Sequence, residues 1–196
     1  DPAVGPICDL PYVDCDAMVA AGASQGAHVA VRGAEWGPHA VVTYGLSIAW
    51  DQLHHVNRTW LDDGDLLAIH GAGDGVYDPP APQGFVEFYS LTVFDGQATP
   101  ELDCTGHCTE PEGDDLPSCD CRVADPPRYG YYLVGEDEVA DGEPEHAFPC
   151  HEHDAEQYKG ECASLDPGFL NPADPATHRA WSWPASLEFL AARAAP

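Results

Sequence analysis

Val42-Thr43-Tyr44-Gly45-Leu46-Ser47-Ile48-Ala49-Trp50 places a large apolar residue at every second position, with Thr43, Gly45, Ser47 and Ala49 between them. Alternation with a period of two is the mark of a strand with one buried face, and it predicts a half-buried strand here. Leu46, Trp50, Leu53 and Trp60 also fall near one helical face, so a strand running into a helix around Asp51 is the competing reading. Outward from this stretch, the aromatic and β-branched run Phe85 to Phe94 lies between Pro82-Gln83-Gly84 and Asp95-Gly96 and reads as a second strand. Shorter strands are expected at Ala27 to Val31, Leu66 to His70 and Arg128 to Val134. Trp181 to Leu190 reads as a strand or as a helix with Pro184 in its first turn. The architecture these elements predict is all-β: an antiparallel sandwich or jelly-roll-like body, with a short C-terminal helix as an option.

The texture changes over about 96–126 and 135–180, which are acidic, rich in Pro and Gly, and hold six of the eight cysteines. Such segments lack the apolar content for a core of their own. They are expected as long disulfide-pinned loops on a single exported domain spanning 1–196. An even cysteine count in loop-rich sequence points to an oxidising compartment, extracellular, cell-surface or periplasmic. Proximity pairs Cys8 with Cys15 and Cys150 with Cys162. A direct Cys119–Cys121 bond would close a strained ring, so these two are expected to reach back to Cys104 and Cys108. The start at Asp1, with no basic or apolar leader, fits a mature form, and no apolar run approaches the ~20 residues of a membrane span.

A formal net charge of −27, with Lys159 the single lysine, excludes nonspecific binding to nucleic acid or anionic membrane, because both require basic patches. Cations, ambient salt or adaptation of the source would each accommodate such repulsion.

The densest cluster of potential ligands is His146-Ala147-Phe148-Pro149-Cys150-His151-Glu152-His153-Asp154. In an extended segment His151 and His153 point to one side, a spacing that lets two imidazoles hold one ion, with His146 and Asp154 as further donors. The function expected on this basis is non-catalytic binding of a divalent metal, copper, zinc or calcium. Two solvated histidines paired with carboxylates are the plainer reading of the same residues. Asp62-Asp63-Gly64-Asp65 and Asp74-Gly75 offer hard oxygens of the kind calcium prefers, without the spacing of a dedicated loop. No Cys-x-x-Cys-His attaches haem, and neither haem nor a nucleotide is expected. Trp181-Ser182-Trp183, with Leu170-Asn171-Pro172 before it and Phe189-Leu190 after it, resembles a short segment of the exported methanobactin-associated copper-binding proteins. The resemblance implies a tryptophan that helps to bind copper.

Two alternatives stand beside metal binding. A structural or adhesive surface component would pair its exposed strand edges with other surface proteins or with copies of itself. A serine hydrolase would use Ser24, because Gly22-Ala23-Ser24-Gln25-Gly26 fits the G-x-S-x-G nucleophile elbow. Only about 20 residues precede Ser24, too few to build earlier strands of such a sheet, so the motif reads from sequence as a small-residue loop.

Overall fold

The computed structural model describes residues 9–11, 13–33, 40–47, 65–79, 84–87, 102, 104, 106–109, 113–123, 129–136, 144–146 and 182–194. After a short 3-10 turn at Cys15–Ala17 come β1 (Val19–Ala23), helix α1 (Gln25–Arg32), β2 (Ala40–Tyr44), β3 (Leu66–Gly71), β4 (Cys119–Asp120), β5 (Gly130–Val134) and the C-terminal helix α2 (Ser182–Ala194). The five strands form one sheet in the order β1-β2-β3-β5-β4. β1, β2, β3 and β5 run parallel, and only the two-residue β4 pairs antiparallel, with β5.

This overturns the antiparallel sandwich or jelly roll expected from the sequence, and the reason lies in how the strands are covered. Every residue of β2, β3 and β5 is buried. Val41, Leu66, Ala68, Tyr131 and Leu133 face one layer, where α1 contributes Ala27, Ala30 and Val31 and where Phe85 stacks on Tyr131. Ala40, Val42, Tyr44, Leu67, Ile69, Tyr132 and Val134 face the other, where α2 contributes Phe189 and Leu190. A parallel sheet needs helical cover on both faces, so its strands are apolar throughout. Thr43 and Ser47, read as the solvent side of a long strand, are both buried.

The local corrections follow the same logic. Ala27 to Val31, expected as a strand, is the buried stripe of α1, with Ala27, Ala30 and Val31 at helical i, i+3, i+4 spacing. Residues 84–87, the start of the expected Phe85–Phe94 strand, are helical, and 88–94 lie outside the described residues, as do 48–64, where a strand-to-helix transition was considered. The strands expected at Leu66 to His70 and Arg128 to Val134 are present as β3 and β5, and Trp181 to Leu190 takes its helical option as α2.

Cys104 bonds to Cys121 and Cys108 to Cys119, so the expected reach-back of Cys119 and Cys121 is present, and the structure settles its partners as nested. Cys15 is disulfide-bonded as well; Cys8, Cys150 and Cys162 lie outside the described residues. The nested pair makes a small hairpin of the 104–121 segment, reinforced by Ser118 N–H donating to Thr109 Oγ1 and Thr109 N–H to the Ser118 carbonyl. One end of that hairpin is β4, which covers the outer edge of β5. The cystines suit an oxidising, extracellular-type environment. Among the described residues no helix is long and apolar enough to cross a membrane.

Closing loops of 17 and 11 residues restricts the unfolded chain, each cystine contributing roughly 3 kcal/mol. Replacing Cys108 and Cys119 together by alanine is expected to lower unfolding free energy by about that amount in a denaturant titration; an unchanged midpoint would show that the hairpin adds nothing.

Candidate functional site

The C-terminal ends of parallel strands are where α/β sheets gather their functional groups, since each strand there opens into a loop or a helix N-terminus. Four strand ends meet in this way: Ser24 follows β1, Gly45 follows β2, Asp74 follows β3, and residues 144–146 come after β5.

Ser24 joins β1 to α1 with φ 53° and ψ −124°, making it the one non-glycine residue with positive φ among those described. Such a conformation costs on the order of 1–3 kcal/mol and persists only where surrounding structure imposes it. Two features impose it here. The Ser24 N–H donates to the Tyr44 carbonyl at 2.9 Å. Gly22 lets the helix fold back tightly onto the strand, since a Cβ on Gly22 would sit 2.1 Å from the Gly26 carbonyl oxygen. The motif read from sequence as a small-residue loop is therefore a sharp strand-to-helix turn, with Ser24 partly exposed at its apex.

Asp74 is the buried anion of the site, its side chain fully shielded from solvent. Val76 N–H and Tyr77 N–H donate to Oδ1 at 2.8 and 2.9 Å. His146 Nδ1 lies 2.7 Å and His70 Nε2 2.9 Å from Oδ2. Burial alone raises a carboxyl pKa, but the bonds from His70, His146, Tyr77 and Val76 outweigh it and lower Asp74 from 3.8 to about 2. Tyr131, buried beside it, is pushed upward by desolvation and then by the Asp74 charge.

A carboxylate has no proton to give, so His146 Nδ1 carries one and donates it, an assignment made from its partner. In the neutral ring that bond selects the Nδ1–H tautomer and puts the lone pair on Nε2. Nε2 is buried and has no hydrogen-bond partner among the described residues. The ring is held on two further sides: Tyr77 meets it edge-on, centroids 5.0 Å apart, and Gly45, with φ +62°, lies beneath it. A Cβ on Gly45 would stand 3.0 Å from His146 Cε1 and 3.4 Å from Asp74 Oδ2. The backbone before His146 docks on the sheet through Gly73 N–H donating to the Pro144 carbonyl.

The elbow and the His146–Asp74 pair share one corner. Ser24 is bonded to Tyr44, the neighbour of Gly45. His28, one turn into α1 and buried, places Nδ1 3.1 Å from the Ser24 carbonyl and Nε2 3.2 Å from the Ser47 carbonyl. A neutral ring donates to one of these and an imidazolium to both. His28 also packs edge-on against Tyr77, 5.6 Å between centroids, so His28, Tyr77 and His146 form a continuous row of rings leading from the elbow to the carboxylate.

Of the residues singled out as metal ligands, His146 is engaged by Asp74, while His151, His153 and Asp154 lie outside the described residues. Among the described residues no group of three or more His, Cys, Asp or Glu is arranged to hold an ion. Asp74, grouped with calcium-type oxygens, has both oxygens occupied by protein donors. Trp183 of the Trp-Ser-Trp segment falls in the first turn of α2. The roles of Asp74 and His70 carry no sequence mark: the Asp74–His146 contact spans 72 residues, and the His70–Asp74 contact, four residues apart, is made only by the turn that follows β3.

Two measurements follow from this geometry. A carboxyl whose folded pKa is depressed adds stability above its unfolded value and loses it as the pH falls through the folded one. Acid titration of stability should therefore show a loss between pH 3.8 and about 2 that is missing in Asp74→Asn. Gly45→Ala adds left-handed strain of about 1–2 kcal/mol and presses on His146, and is expected to lower the melting temperature by several degrees. It should also shift the far-downfield proton resonance of the His146 Nδ1–H bond; an unmoved resonance would contradict the close packing. Comparison of the chain with protein-family models, with curated proteins and with solved structures gives no match, so the chemistry of this corner is read from its own geometry.

Proposed function

We propose that this chain is a serine hydrolase acting on esters or related acyl compounds, with Ser24 as nucleophile, His146 as general base and acid, and Asp74 as the group that orients His146. The observation that carries the reading is the buried Nε2 of His146, without a hydrogen-bond partner among the described residues and on a ring whose Nδ1 is held by Asp74, together with a serine held at positive φ at the end of β1. A base of this kind needs a carboxylate to hold its tautomer and to stabilise the imidazolium that forms when it takes a proton. The chain order Ser24, Asp74, His146, on segments that follow β1, β3 and β5, is the order found in α/β-hydrolases.

In the first half-reaction Ser24 Oγ attacks the acyl carbon as its proton passes to His146 Nε2. The carbonyl π electrons move to oxygen, and the resulting oxyanion lies at the N-terminus of α1, where the first N–H groups have no intrahelical acceptor. Gln25 N–H, directly after the nucleophile, is the donor this arrangement offers. Collapse expels the alkoxide, which takes the proton from His146, and leaves an acyl-serine. Water then attacks with the same base, releasing the acid and restoring Ser24. Hydrogen bonds between nucleophile and base are commonly long before substrate arrives, which fits an Nε2 without a partner. The metal-binding reading keeps His151, His153 and Asp154 but shares His146 with this one, and the strained serine has no part in it.

A fluorophosphonate probe is expected to label the native protein at Ser24, and Ser24→Ala to abolish both labelling and hydrolysis of a short-chain nitrophenyl ester. Asp74→Asn, which keeps the shape but permits the wrong histidine tautomer, should lower kcat by about 10⁴-fold. Full labelling of the Ser24→Ala protein would refute the assignment.

A further inference from the structure

Among the buried polar groups that the proposed reaction does not use, one touches the Asp74 carboxylate. His70, at the end of β3, is 1 % exposed, and its Nε2 stands 2.9 Å from Asp74 Oδ2 and 3.0 Å from the Tyr77 carbonyl oxygen. Both neighbours are acceptors, so Nε2 bears the ring proton and shares it between them. An aliphatic side chain would fill this place without the desolvation cost of an imidazole, which only its hydrogen bonds offset.

The oxygen that His70 reaches is the one that receives His146. Oδ1 is held by two backbone donors of the 74–77 turn and behaves as a pivot. Rotation of the carboxyl about that pivot swings Oδ2 toward or away from the His146 ring. His70 is anchored in a fully buried strand, and Tyr77 fixes the direction of its N–H, so it supplies the third point that stops the swing.

We propose that His70 is a positioning residue for the Asp74–His146 pair: its Nε2–H, shared between the Tyr77 carbonyl and Asp74 Oδ2, sets where Oδ2 sits and hence how His146 Nε2 faces Ser24. The catalytic part rests on the serine-hydrolase reading; the effect on the Asp74–His146 bond does not.

The test compares His70→Gln with His70→Met, side chains of similar size that differ in the amide N–H donor. Nitrophenyl acetate turnover and the downfield His146 Nδ1–H resonance are the two readouts. His70→Met is expected to lose on the order of 10- to 100-fold in kcat with KM little changed, the penalty of a misaligned base, and to shift or broaden the resonance. His70→Gln should restore most of both. Equal kcat and an unmoved resonance in the two variants would overturn the proposal. Should His70→Met fail to fold, His70→Gln decides alone: a folded protein that keeps the resonance supports the donor role, and one that loses it refutes it. Ester hydrolysis that survives Ser24→Ala rejects the hydrolase reading instead, and the resonance still reads the His70 effect without turnover.

Discussion

A carboxylate shielded from water has to be met by donors or it will not stay charged, and the arrangement of this molecule around Asp74 follows from that requirement. Two of its donors come from the turn it begins, through Val76 and Tyr77 N–H. One comes from the strand before it, His70, and one from 72 residues along the chain, His146. The turn, the end of β3 and the segment at 144–146 are held in register by a single side chain. The same bond that satisfies Asp74 selects the His146 tautomer, so the demand for a partnered anion and the preparation of a base are one constraint.

The sheet supplies the frame for this constraint. Because β1, β2, β3 and β5 are parallel, their C-terminal ends lie on one edge of the sheet, and residues distant in sequence are brought to one corner. Covering both faces of the sheet, with α1 and Phe85 on one side and α2 on the other, keeps these ends rigid. Tyr44 illustrates the linkage. Its carbonyl holds Ser24 at the elbow, and its hydroxyl, pushed by burial up to about 12 despite the opposing bond to Ser186, fastens α2 to the sheet.

The cystine hairpin belongs to the same support. It places β4 along β5, and Ser118 and Leu116 pack against Gly135 and Gly73, beside the point where Pro144 is bonded. In a protein of net charge −27, covalent ties in an acidic segment hold where surface ion pairs contribute little. The described ion pairs beyond Asp74 are peripheral: Arg122 with Asp120 on β4, and Arg193 with Asp65, which ties the end of α2 to the start of β3.

The amino-acid sequence by itself determined that Cys119 and Cys121 reach back to Cys104 and Cys108, the strands at Leu66 and Gly130, and a G-x-S-x-G pattern at Ser24, because spacing and local propensity act over short range; which cysteine pairs with which was decided by the fold. It misdirected the fold class. The small residues Thr43, Gly45 and Ser47 between large ones look like a solvated face, and only the helices packed on both sides show that they are interior. It also ranked Ser24 as a small-residue loop ahead of a nucleophile and set His146 beside His151 and His153, its neighbours in the chain. Tertiary structure decided that His146 belongs to Asp74 and that His70 completes their contact. A buried charge is paired by whatever donors the folded chain brings within about 3 Å, and sequence distance carries no record of which those are.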